Sequence, residues 1–215
     1  MKDAPARLLA EFLGVFFLCL FGIGAITNDA GLTGIALAHG LAIFIAIAAF
    51  AHVSGAHFNP AVTVALAATR RIAPVDAIAY IVAQLVGGLA AAYVANLAFG
   101  TFKGVPALGS GLSVSTGIII EAIATFILMV TIMGVAVDSR GAFSIVAGLP
   151  IGLAIFGDIM WSGPVTGAAM NPARWFGPAL VKGDMSNAVV WIVGPIVGAL
   201  VAAFVYDAVI KPARD

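Results

Sequence analysis

The apolar residues of this chain run rather than alternate. Six stretches, 7–26, 34–53, 75–99, 114–137, 144–160 and 187–210, contain no more than two charged residues each. Runs of that length predict membrane-spanning α-helices, since roughly 20 residues at ~1.5 Å rise cross a ~30 Å hydrocarbon core. Barrel strands would alternate over about ten residues. Two further apolar runs, 61–69 and 173–181, are too short to span. About eleven helical residues reach only ~16 Å, half of the core. Both short runs are opened by the same tripeptide, Asn59-Pro60-Ala61 and Asn171-Pro172-Ala173. Asn is a strong N-cap, and Pro at the first helical position loses no hydrogen bond and presets φ. The pattern therefore predicts an all-α membrane fold of six spans and two re-entrant half-helices.

The half-helices fall between spans two and three and between spans five and six. The two halves, about 7–100 and 114–210, are weakly alike: Glu11 precedes Asn59 by 48 residues, and Glu121 precedes Asn171 by 50. Three spans per repeat force the second copy to insert upside down, so an inverted repeat forming one transmembrane domain is expected. With the N-terminus inside, one side of the membrane holds Lys2, Arg7, Arg70, Arg71, Arg140, Lys211 and Arg214, and the other only Lys103 and Lys182. The excess of positive charge places both termini in the cytoplasm, and the plasma (inner) membrane is the expected location. The first apolar run, with Glu11 near its start, reads as a retained helix rather than a cleaved leader.

Composition agrees. The 215 residues are 62% hydrophobic and 9% charged, where a soluble domain carries about 25% charged residues. The net charge of zero gives no footprint for nucleic acid. Cys19, the single cysteine, excludes an intrachain disulfide and a cysteine-based metal site,. Neither a catalytic nucleophile nor a nucleotide loop is present, so no enzyme, metal or cofactor is expected. Glycines four apart, Gly148 with Gly152 and Gly194 with Gly198, together with the pair Gly87-Gly88, suit close helix contacts in lipid,.

Two half-helices meeting at the midplane would point both N-termini, each roughly +0.5 elementary charge, at the narrowest point. That potential opposes cations, hydronium included. The Asn59 and Asn171 amides would donate to a passing oxygen. The non-helical Gly55, Ala56, His57 and Phe58, and their counterparts Gly167, Ala168, Ala169 and Met170, would line water with free carbonyls, the condition for unpaired backbone at membrane depth. Donors at the centre and acceptors along the wall suit a small neutral polar solute.

The segments His57-Phe58-Asn59-Pro60-Ala61-Val62-Thr63 and Met170-Asn171-Pro172-Ala173-Arg174 resemble the signature loops of the aquaporin (major intrinsic protein) family. Ala10-Glu11-Phe12-Leu13-Gly14 is similar to its first-helix motif, and Gly194-Pro195 to its sixth. The resemblance covers about 7–210 and implies a homotetramer with one pore per subunit and an aromatic/arginine constriction near the external mouth. The constriction positions carried over by spacing are His39, Ile159, Ala168 and Arg174, a set similar to plant tonoplast-type members. Arg174 would donate to solute and repel cations. Glu11 and Glu121 would hold the re-entrant loops. His57 would line the cytoplasmic approach, and His52, late in span two, has a bland role or gates with pH. Asp158 reads as a surface acid near the external end of span five. Trp175 stands where glycerol-conducting members have Asp. Ala168 replaces a mercury-reactive cysteine of some members, so mercury inhibition there is not expected.

The function implied is a passive channel for water, with ammonia or hydrogen peroxide as further neutral solutes. The alternative is a glycerol facilitator. A secondary transporter would need midplane acids, and a non-conducting structural protein a plugged pore. The half-helices offer only Asn and Arg with no carboxylate at their tips, and neither a bulky residue at position 168 nor a missing Arg174 is seen.

Overall fold

A computed structural model describes residues 3–140 and 146–210. Among them run eight α-helices: α1 (Ala4–Thr27), α2 (Gly31–Ser54), α3 (Pro60–Ala68), α4 (Pro74–Phe99), α5 (Val114–Ile132), α6 (Gly148–Thr166), α7 (Pro172–Lys182) and α8 (Ala188–Val205). α5 and α8 continue into π-helical turns, Met133–Val137 and Tyr206–Ile210. With those turns, six helices are long and apolar enough to cross a membrane. α3 and α7, of nine and eleven residues, are not. This is the predicted architecture.

Local chemistry sets the ends that matter. α2 and α6 both stop on a left-handed glycine, Gly55 (φ 87°) and Gly167 (φ 80°). Only glycine takes that conformation without a Cβ penalty, and each one turns the chain back toward the core. α3 and α7 then start on Asn59 and Asn171, whose side-chain oxygens accept from Ala61 N and Ala173 N, each at 2.9 Å.

The expected fifth span is displaced. α6 begins at Gly148 and continues six residues beyond Met160 to Thr166; positions 144 and 145 lie outside the described residues. The helix runs through Pro164, which sits in the last turn and forfeits only the bond to the Met160 carbonyl,. Asp158 is thereby moved to mid-helix and is not a surface acid. It is 2% exposed, and its Oδ1 accepts from Trp161 Nε1 at 3.1 Å.

α1 packs on α2 and α4, as α5 packs on α6 and α8. α3 rests mainly on α8, α7 rests mainly on α4, and α2 meets α6 between the halves. That last crossing needs two glycines. A Cβ on Gly152 would lie 2.5 Å from the Gly40 carbonyl oxygen, and one on Gly40 would lie 2.6 Å from that of Gly152. The obstacle is backbone, so relief requires the helices to part. Gly152→Val is expected to destabilise the protein by about 1–3 kcal/mol, read as a lowered thermal unfolding midpoint in detergent. Gly157→Val on the same helix, where an added Cβ meets nothing within 4 Å, should leave the midpoint unchanged.

One end of the bundle is tied by polar contacts. Tyr206 OH donates to Asp138 Oδ2 at 3.2 Å, and Arg140 Nη2 donates to the same oxygen at 2.6 Å. Hydrogen bonds from Arg140 hold the Asp138 carboxyl well below the usual carboxylate range. Arg71 makes a two-pronged pair with Asp207 at 2.8 and 2.7 Å. Of the cations counted for orientation, Lys2, Lys211 and Arg214 lie outside the described residues.

Candidate functional site: a lined cavity between paired half-helices

Each re-entrant loop is built around one buried carboxylate. Glu11 Oε1 accepts from Ser54 Oγ at 2.6 Å and His57 N at 3.0 Å; its Oε2 accepts from Phe58 N at 2.7 Å and Gln84 Nε2 at 2.8 Å. Glu121 repeats the scheme. Its Oε1 accepts from Thr166 Oγ1 at 2.6 Å and Ala169 N at 2.9 Å, and its Oε2 from Met170 N at 2.7 Å. Ser54 and Thr166 hydroxyls accept in turn from Ala56 N and Ala168 N, at 3.1 and 3.2 Å. These contacts hold unfavourable backbone. Ala56, Phe58, Ala168 and Met170 all have φ between 44° and 54°, which for non-glycine residues costs of order 1–3 kcal/mol each and persists only where surroundings enforce it.

The two loops are then knitted together. Asn59 Nδ2 donates to the Met170 carbonyl at 2.8 Å, and Asn171 Nδ2 donates to the Phe58 carbonyl at 2.8 Å. Each asparagine thus caps its own helix with oxygen and reaches the opposite loop with nitrogen. One of the two N–H groups on each amide remains for another acceptor. The N-termini of α3 and α7 converge here, and their partial positive ends add.

A cavity of about 870 Å³ runs past this junction. Its wall includes Asn59 and Asn171 with Gly55, Ala56, His57, Phe58, Ala169 and Met170. His39, Ile159 and Arg174 line it at one end, and His52 and Arg71 at the other. Three of the four constriction candidates are therefore brought together. The fourth, Ala168, is buried in the adjoining core and does not line this cavity. Gly167 is likewise off the wall, and its carbonyl accepts from Arg174 Nη1 at 3.2 Å. Not every loop carbonyl is free, because those of Phe58 and Met170 already hold the asparagines.

Two histidines have their tautomers set by what they touch. His39 Nδ1 lies 2.8 Å from the Ile35 carbonyl, which can only accept, so Nδ1 carries the proton,. His57 Nδ1 lies 3.2 Å from Thr63 Oγ1, whose own proton goes to the Asn59 carbonyl, so here too Nδ1 donates. Both Nε2 atoms are left as acceptors.

Sequence reasoning overlooked Ser54, Thr166 and Gln84. A signal for the first two exists: each stands five residues before its Asn, in Ser54-Gly55-Ala56 and Thr166-Gly167-Ala168. It gave no role to Trp191, which stacks on Trp175 at 5.7 Å and donates to the Thr166 carbonyl at 3.0 Å.

The chain is similar to known proteins over nearly its whole length. A family model for the major intrinsic proteins matches residues 2–206. The chain is 40% identical to Aquaporin NIP1-1 of Zea mays, over 97% of this chain and 77% of that one. It is 41% identical to Probable aquaporin TIP3-2 of Arabidopsis thaliana, over 98% and 85%. Its fold superposes on the X-ray structure of the aquaglyceroporin from Plasmodium falciparum with a TM-score of 0.90 at 27% identity, covering 97% of both chains. The chain belongs to the major intrinsic protein family and is an integral membrane channel of the aquaporin type.

Proposed function

We propose that the protein is a passive water channel that also admits small neutral solutes such as ammonia or hydrogen peroxide and excludes protons and ions. The observation that carries this reading is the junction of α3 and α7. Two helix N-termini face one lined cavity, and each capping asparagine keeps a spare donor there. A water passing between them donates its own protons to carbonyls on either side and accepts at the centre. A cation would meet two positive dipole ends and the Arg174 guanidinium. His39, Ile159 and Arg174 form the constriction, with Ala168 behind them. Catalysis has no part in the reading.

The duplicated carboxylate scheme supports an inverted repeat within a single domain. The charge bias of the loops supports cytoplasmic termini in the plasma membrane, so the Arg71 end of the cavity is cytoplasmic and the Arg174 end external. Family membership supports a homotetramer with one pore per subunit. A second reading, a wider glycerol-conducting pore, is favoured by the apolar Ile159 on the wall and the small Ala168 beside it.

Arg174→Ala in proteoliposomes tests the assignment. It should raise glycerol re-swelling and sodium leak by about tenfold, the effect of ~1.4 kcal/mol on a barrier, while water flux is kept. Unchanged glycerol and sodium permeabilities would remove Arg174 from the constriction. Fast glycerol flux in the unmodified protein would favour the wider pore.

A further inference from the structure

Gly22, on the buried face of α1, lies outside the cavity wall, yet it meets the ring of His39. A Cβ built on it would overlap His39 Nε2 and would stand 2.5 Å from Cε1 and 2.8 Å from Cδ2. The ring thus fills the space a side chain at position 22 would take. Its other anchor is the bond from Nδ1 to the Ile35 carbonyl on its own helix. The ring also faces the cavity, whose wall it shares with Ile159 and Arg174.

We infer that Gly22 is a positioning residue that sets the aperture of the pore: by lacking a side chain it lets the His39 ring lie back against α1 and out of the lumen. The inference rests on His39 standing at the constriction. The obstacle here differs from that at Gly40 or Gly152. There a Cβ would strike backbone, whereas here it strikes the far end of one side chain that can swing about its own bonds. A methyl at position 22 therefore displaces the ring rather than the helix, and toward the lumen. Gly24, two residues on, faces nothing within 4 Å of an added Cβ and is the matched control.

The test compares Gly22→Ala, Gly24→Ala, His39→Ala and Gly22→Ala/His39→Ala in proteoliposomes, with water and glycerol permeabilities normalised to inserted protein. Gly22→Ala should lower water permeability by about tenfold, the effect of ~1.4 kcal/mol on a barrier, and Gly24→Ala should not. His39→Ala should raise glycerol permeability. The double variant should behave as His39→Ala alone, because no ring remains to be displaced. A merely structural Gly22 would lower assembly and not be rescued. If Gly22→Ala does not assemble, the double variant must assemble and carry the His39→Ala permeabilities. Its failure to do so, or normal water flux through an assembled Gly22→Ala, overturns the inference. No change in glycerol permeability for His39→Ala would instead overturn the placing of His39 at the constriction.

Discussion

Glu121→Ala should abolish conduction and cost about 3–5 kcal/mol of stability, the loss expected when a buried charged acceptor is removed and its donors are left unpaired. The donors are the backbone N–H groups of Ala169 and Met170 and the Thr166 hydroxyl. All three residues are buried, and Glu121 works with the Thr166 hydroxyl and the Asn59 amide to hold the left-handed backbone at Ala168 and Met170. Once the loop relaxes, the Met170 carbonyl leaves Asn59 and the junction of α3 and α7 opens. Glu121→Gln should be milder. Its oxygen can still serve Thr166 and Ala169, but its amide then faces the Met170 N–H, donor against donor. Thermal unfolding in detergent and water flux in vesicles read both effects. Equal stability of Glu121→Ala and the unmodified protein would mean that the loop is held by packing alone.

Replacing the capping asparagines should strike stability and flux together. Asn171→Ala strips the cap from Ala173 N and Arg174 N and the cross-bond to Phe58. Asn59→Ala strips the cap from Ala61 N and the cross-bond to Met170. A cap contributes about 1 kcal/mol and a buried hydrogen bond about another, so each variant should lose ~2 kcal/mol. The double variant should lose less than the sum, because both cross-bonds knit the same two loops and the second is weakened once the first is gone. Each substitution also removes the spare central donor, which should slow water by about fivefold for ~1 kcal/mol on the barrier. Strict additivity would show that the loops are positioned independently. Undiminished water flux in the double variant would put the barrier elsewhere.

What could be read in the sequence was local. Asn-Pro carries its own physics, so the starts of α3 and α7 fell where the tripeptides put them, at Pro60 and Pro172. Long apolar runs placed six spans because lipid demands them. Glu11 and Glu121 stood out because an acid inside an apolar run needs partners. The partners themselves are tertiary. Asn59 meets Met170 across 111 residues and Asn171 meets Phe58 across 113, with no periodicity to announce either contact. Gln84 reaches Glu11 across 73 residues and was invisible for the same reason. Asp158 was misplaced because span five was ended at Met160, whereas α6 runs on through Pro164 to Thr166, a proline in a last turn losing only one bond,. The seat of His39 on Gly22 could not be read at all, since a glycine's missing side chain is legible only beside the atoms that use its space.

The central claim is that water passes through this cavity. Stopped-flow light scattering of proteoliposomes in a sucrose gradient tests it most directly. Vesicles holding the protein should shrink faster than empty ones, and the excess should disappear with Glu121→Ala. Shrinkage no faster than that of empty vesicles, with the folded protein inserted, would contradict an open water channel.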